Sequence, residues 1–181
     1  MLSYVMIFAA YLAGSLSAAI ITCRLMGLDD PRTQGSGNPG ATNVLRVGGK
    51  KAAIFTLLGD AIKGVIPVVA AQLMAAPPLM LALVALAAFL GHLYPVFFGF
   101  RGGKGVATAF GVLVALAWPV GLALLATWLV MAKLFNISSL AALIAATLSP
   151  LFMWLLAPHM EFVVIAGMIS LMLVWRHRSN I

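Results

Sequence analysis

Two stretches of this chain carry far more chemistry than their surroundings: GSGNPGATNVLR, residues 35–46, and GFRGGKGVAT, residues 99–108. In the first, Gly35, Gly37 and Gly40 permit positive φ, which lets successive backbone N–H groups converge on an anion. Ser36, Asn38, Thr42 and Asn43 add side-chain donors, and Arg46 adds a planar guanidinium fork suited to phosphate. In the second, Gly99, Gly102, Gly103 and Gly105 surround Arg101 and Lys104 just before an apolar segment, so backbone donors, a helix N-terminus and a lysine meet at one place. Both read as phosphate nests rather than flexible linkers. The second is not a nucleotide P-loop, because Phe98 stands where the first glycine belongs and Gly105, not Ser or Thr, follows Lys104.

Other polar residues are sparser. In RHRSNI, residues 176–181, His177 and Asn180 are three apart and share a side if the helix continues. Alone they suit an interfacial anchor; beside two anion loops they suit a ligand. Ser138 and Ser139 follow Lys133 and Asn136 and are either helix caps or part of the same site. Asp60 and Lys63 lie inside an apolar segment at i,i+3, spaced for a mutual pair or for support of a site. His92, just ahead of Pro95, reads as packing or loop anchoring. The lone Cys23 has neither a disulfide partner nor metal-ligand neighbours, and no metal site is expected.

The elements that must position these residues are membrane helices. With 64% hydrophobic and 8% charged residues and a mean hydropathy of +1.12, the chain lies outside the range of soluble domains. Apolar segments fall at 4–25, 52–75, 79–98, 105–117, 119–134, 138–157 and 160–176. They predict an all-α polytopic membrane protein of about seven helices, forming a single domain over 1–181. The fourth and fifth segments are short against the ~20 residues of a span, so a re-entrant hairpin or two tilted helices are alternatives. The first segment lacks a basic flank and a cleavage site and reads as a retained span.

Ten of the eleven Lys and Arg residues flank alternate connections. That segregation predicts a cytoplasmic face carrying the glycine-rich loops and the C-terminus, with the N-terminus outside. The net charge of +7 is therefore a topology signal rather than a nucleic-acid signature, and its field would gather anionic lipid head groups or phosphorylated metabolites.

Taken in order, YLAGSLSAAI (11–20), GSGNPGATNVLR, DAIKG (60–64), GHLYPVFFGFRGGKGVATAF and RHRSNI resemble the bacterial acyl-phosphate:glycerol-3-phosphate acyltransferases, the PlsY family, from residue 11 to 181. The resemblance implies a seven-helix enzyme of the bacterial cytoplasmic (inner) membrane, with its active site facing the cytoplasm. It implies transfer of a fatty acyl group from acyl phosphate to glycerol 3-phosphate, giving lysophosphatidic acid and inorganic phosphate without a cofactor. Motif by motif, it places catalytic roles on Ser36, Arg46, Lys104, His177 and Asn180, and by a looser match a substrate-orienting role on Ser139. The loops from Gly35 to Arg46 and from Gly99 to Gly105 would hold the phosphates, and the acyl chain would lie between helices, open to membrane lipid. Family members commonly continue with a short polar tail.

The other large class of glycerol phosphate acyltransferases carries His followed five positions later by Asp. Here Asp occurs only at 29, 30 and 60, so no His–Asp base is expected, and deprotonation falls to a substrate phosphate or to His177. A transporter of organic phosphates would show a midplane site and two related halves, and the chain has no internal repeat. A lipid-binding scaffold would account for the charge but not for the glycine loops.

Overall fold

The computed structural model describes residues 2–157 and 159–178. Every regular element among them is helical: α1 (Leu2–Gly14), α2 (Ala18–Leu25), α3 (Ala41–Leu73), α4 (Pro78–Leu93), a 3₁₀ turn at Val96–Phe98, α5 (Val106–Leu116), α6 (Trp118–Phe135), α7 (Ser138–Leu156) and α8 (Met160–Arg176).

The first apolar segment, expected as one span over 4–25, is broken and bends by 45° between α1 and α2. Two serines at the break bond to nearby backbone instead of continuing the helix. Ser15 Oγ donates to the Tyr11 carbonyl at 2.8 Å, and Ser17 caps α2 by accepting from the Ile20 N–H at 3.4 Å. The break leaves the Leu16 carbonyl without a helical donor, and Lys63 Nζ from α3 donates to it at 2.7 Å.

α3 is also two pieces. Gly49 adopts φ 79°, ψ 180°, a conformation open to glycine but strained for a side chain. It separates a short helix over 41–48 from the long apolar run to Leu73. The second half of GSGNPGATNVLR is therefore helix, where the sequence suggested loop throughout.

Among the described residues four runs are long and apolar enough to cross a membrane: Ala41–Leu73, Pro78–Phe98, Trp118–Phe135 and Ser138–Leu156. The bent first pair makes a fifth. Of the two segments expected to be short, the fifth proves full length at 18 residues, whereas α5 has only 11, about 16 Å of helix against a ~30 Å hydrocarbon core. α8 has 17 residues.

Small residues bring the helices together, as membrane packing demands. A Cβ on Gly14 would strike the Ala88 carbonyl and one on Gly91 the Tyr11 carbonyl, fixing α1 against α4; Gly111 likewise lies on the Ala61 carbonyl, fixing α5 against α3. Phe89, Leu93, Val112, Met153 and Ile169 fill the buried centre, and Thr108 Oγ1 donates to the Asp60 carbonyl at 2.8 Å across the α3–α5 seam. This frame holds the connections that carry the polar motifs together at one end.

Candidate active site

At that end is a cavity of about 450 Å³. Ser36, Asn38, Gly40, Thr42, Asn43 and Arg46 line it from the first segment, Lys104 and Gly105 from the second, Ser139 from α7 and His177 from the end of α8. Residues from four separate stretches of the chain thus face one space. Leu57, Val106, Trp128 and Ile137 give it an apolar flank.

The cavity is built from helix starts. Gly40 and Ala41 open α3, Gly105 and Val106 open α5, and Ile137 and Ser138 open α7, and all six residues line it. None of the three helices has a side-chain hydrogen bond at its N-cap. Their leading N–H groups and the positive ends of their dipoles converge on the same volume. Ser138 and Ser139 fall inside the first turn of α7 rather than at its cap, so their hydroxyls are not spent on capping.

Asn43, 2% exposed, organises the first segment. Its Oδ1 accepts from the Ser36 N–H at 2.9 Å, and its Nδ2 donates to the carbonyls of Pro31 at 2.8 Å and Gln34 at 3.0 Å. Although it borders the cavity, its amide is committed to folding the loop that presents Ser36. Gly35 and Gly37 have φ of 57° and 69°, which make the reversals between these bonds. Neither lines the cavity. Gly37 instead lines a polar pocket of about 510 Å³ on the outer side of the loop, with Gly102, Arg101, Arg176 and the ion-paired Asp30 and Arg32. Ser36 and Asn38 border both spaces.

The second segment is wedged against α4. A Cβ on Gly102 would collide with the His92 carbonyl, and one on Gly103 would come within 2.5 Å of His92 Nε2. Gly105, at φ 91°, turns the chain into α5. Of the predicted residues, Gly35 and Gly103 line neither space, and Asn180 lies outside the described residues.

The electrostatics favour an anion. Burial, then the charges of Arg176 and Arg46, pull the Lys104 ammonium below the usual lysine range, a strain that a phosphate would relieve. His177, 3% exposed, has its Nδ1 at 2.8 Å from the Leu173 carbonyl. A carbonyl can only accept, so Nδ1 carries the proton and Nε2 is left as an acceptor. Burial foremost, with the charges of Lys104 and Arg176, lowers its pKa below the usual histidine range and keeps the ring neutral.

No His–Asp pair is visible in sequence, yet in space His92 Nδ1 lies 3.5 Å from Asp60 Oδ1, and both residues border the cavity. The approach is close but lacks hydrogen-bond geometry, and the same oxygen sits 2.8 Å from Lys63 Nζ. Asp60 and Lys63 are thus a buried pair that closes the α1–α2 break and adjoins the cavity. Sequence reasoning also left out Trp128, Leu57 and Asn136 as lining residues; nothing in their types signals it. Among the described residues no group of three His, Cys, Asp or Glu could hold a metal.

The fold and cavity define a helical membrane protein with a cavity at one end lined by Arg46, Lys104 and three helix starts. Residues 4–181 match the family described as Glycerol-3-phosphate acyltransferase, and the chain belongs to that family. It is 57% identical over 181 residues to the glycerol-3-phosphate acyltransferase of Thioalkalivibrio sulfidiphilus, covering 100% of this chain and 89% of that one. It is 59% identical over 172 residues to that of Methylococcus capsulatus, covering 95% and 87%. Among solved structures it is similar to PlsY (YgiH), an integral membrane glycerol 3-phosphate acyltransferase. The glycerol 3-phosphate form matches with a TM-score of 0.93 and 38% identity, the lysophosphatidic acid form with 0.92 and 37%, each over 99% of this chain and 90% of the other.

Proposed function

We propose that this chain transfers a fatty acyl group from an acyl phosphate to the 1-hydroxyl of glycerol 3-phosphate, releasing lysophosphatidic acid and inorganic phosphate. The observation that carries this reading is one cavity in which three uncapped helix N-termini, Arg46 and Lys104 face an apolar flank of Leu57, Val106, Trp128 and Ile137. Such a space suits two phosphate-bearing substrates, one with a hydrocarbon tail that continues into lipid. The solved relatives bound to glycerol 3-phosphate and to lysophosphatidic acid support the acceptor and the product.

The donor is already activated, so the protein mainly has to position and stabilise charge. The glycerol hydroxyl oxygen attacks the acyl carbonyl carbon, a tetrahedral oxyanion forms, and its collapse breaks the bond between that carbon and the bridging oxygen, which leaves on phosphate. Arg46 and Lys104 hold phosphate charge, Ser36 and Ser139 donate hydrogen bonds, and His177 Nε2 with Asn180 orients glycerol phosphate. Gly40, Thr42, Asn38 and Gly105 shape the walls; Gly35, Gly37, Asn43, Gly102 and Gly103 set the loop conformations. The hydroxyl proton passes to a phosphate oxygen of the substrate or to His177. Segregation of the basic residues supports a cytoplasmic site in the bacterial inner membrane, with the N-terminus outside.

Purified protein in lipid, given labelled glycerol 3-phosphate, is expected to form lysophosphatidic acid from a long-chain acyl phosphate and little or none from acyl-CoA. Robust product from acyl-CoA would overturn the donor assignment.

A further inference from the structure

Arg176 is the last residue of α8 and does not line the reaction cavity; it faces the outer pocket. Its Nη2 donates to two consecutive carbonyls of the second glycine segment, Gly102 and Gly103, both at 2.9 Å. The guanidinium lies 5.9 Å from the ring centroid of Tyr94, whose own carbonyl accepts from Tyr11 Oη at 2.6 Å. A trans peptide places C=O and N–H on opposite sides. Holding the carbonyls of Gly102 and Gly103 toward Arg176 therefore turns the N–H groups of Gly103 and Lys104 away from it. The next two residues along the chain, Lys104 and Gly105, line the inner cavity.

Resting on the function proposed above, we propose that Arg176 is a positioning residue for the reaction. It clamps the Gly102–Gly103 carbonyls so that the following residues, Lys104 and the α5 N-terminus at Gly105, are held where a substrate phosphate meets them, and it does so without touching substrate itself. The segment also packs tightly against His92. The last turn of α8 thus serves both spaces: Arg176 fixes the loop from outside, and the next residue, His177, enters the cavity. The charge of Arg176 also reaches Lys104 and His177, adding to the field an anion meets.

The test compares wild type, Arg176→Ala and Arg176→Lys in steady-state kinetics with both substrates, with and without methylguanidinium, and in thermal unfolding with and without inorganic phosphate. Arg176→Ala is expected to raise the KM of one phosphate substrate at least about tenfold, the scale of a lost charge-assisted phosphate seat, while the other KM moves far less. Methylguanidinium should restore it without affecting wild type. Phosphate should raise the unfolding midpoint of wild type more than that of the variant. If Arg176→Ala does not fold, Arg176→Lys, which keeps the charge but not the shape of the donor, is expected to show the same one-sided KM rise. A uniform fall in kcat with both KM values unchanged, or no rescue by methylguanidinium together with an unaltered phosphate shift, would overturn the proposal. Failure of wild type to use acyl phosphate would count against the function instead, and the phosphate shift would still test the clamp.

Discussion

The two glycine segments look alike in sequence and are built on opposite plans. Each leads into a helix whose N-cap is a glycine without a side-chain bond, Gly40 for α3 and Gly105 for α5, so each offers its leading amides to an anion. The first is organised from within, because Asn43, seven residues after Ser36, makes three side-chain hydrogen bonds that tie it to the preceding loop. The second is organised from outside, by hydrogen bonds from the Arg176 guanidinium and by close packing on His92. A loop folded by its own residues couples local stability to function, whereas a loop held by distant helices reports on how those helices meet.

The largest expected effect is on Lys104, which sits in the cavity with Arg46. Lys104→Met should leave less than about a tenth of the activity, since ~1.4 kcal/mol is tenfold, while the protein stays folded in detergent. Activity above that level, measured beside an unchanged unfolding midpoint, would remove Lys104 from the chemistry. Next is Gly102→Ala, whose Cβ meets a backbone carbonyl that cannot swing aside. It is expected to displace the second segment, cutting kcat/KM and lowering the unfolding midpoint.

Asn43→Ala sharpens the contrast, because it removes buried bonds worth about 1–3 kcal/mol if the freed groups stay dry. The unfolding midpoint should fall together with activity. An Asn43 variant that kept its unfolding midpoint would erase the distinction between the two plans.

The smallest effect concerns pH. The His177 pKa is lowered from 6.5, so the unfolded chain binds this proton first on acidification, and the native state loses stability as pH falls below that ordinary value. His177→Gln should remove that part of the acid sensitivity. If His177 is the base, the acid limb of kcat/KM vanishes with it. If a substrate phosphate is the base, a limb near its second ionisation at about 6 persists.

Much of this site was legible in sequence because its chemistry is dense. Ser36, Arg46, Lys104, Ser139 and His177 stand in polar runs between apolar ones, and the alternation of basic connections puts them on one face. The bend at Ser15–Ser17 was not legible, because two serines barely alter the hydropathy of a 22-residue apolar run. Nor was the helix over 41–48, whose Gly, Thr and Asn content argues for loop until Asn43 is seen folding back. The His92–Asp60 approach spans 32 residues and α3 to α4, beyond any local motif. In the sequence Arg176 counts only as one of the segregated basic residues; the tertiary fold shows that it reaches the carbonyls of a loop more than 70 residues away.

The central claim is that one cavity carries a direct transfer between two phosphate-bearing substrates, with Ser36 a hydrogen-bond donor and not a nucleophile. Rapid mixing of enzyme with acyl phosphate alone, following inorganic phosphate and the intact protein mass, tests it most directly. Direct transfer predicts no phosphate burst and no acyl adduct, then one phosphate per lysophosphatidic acid once glycerol 3-phosphate is added. A stoichiometric burst with a kinetically competent acyl group on Ser36 would contradict it.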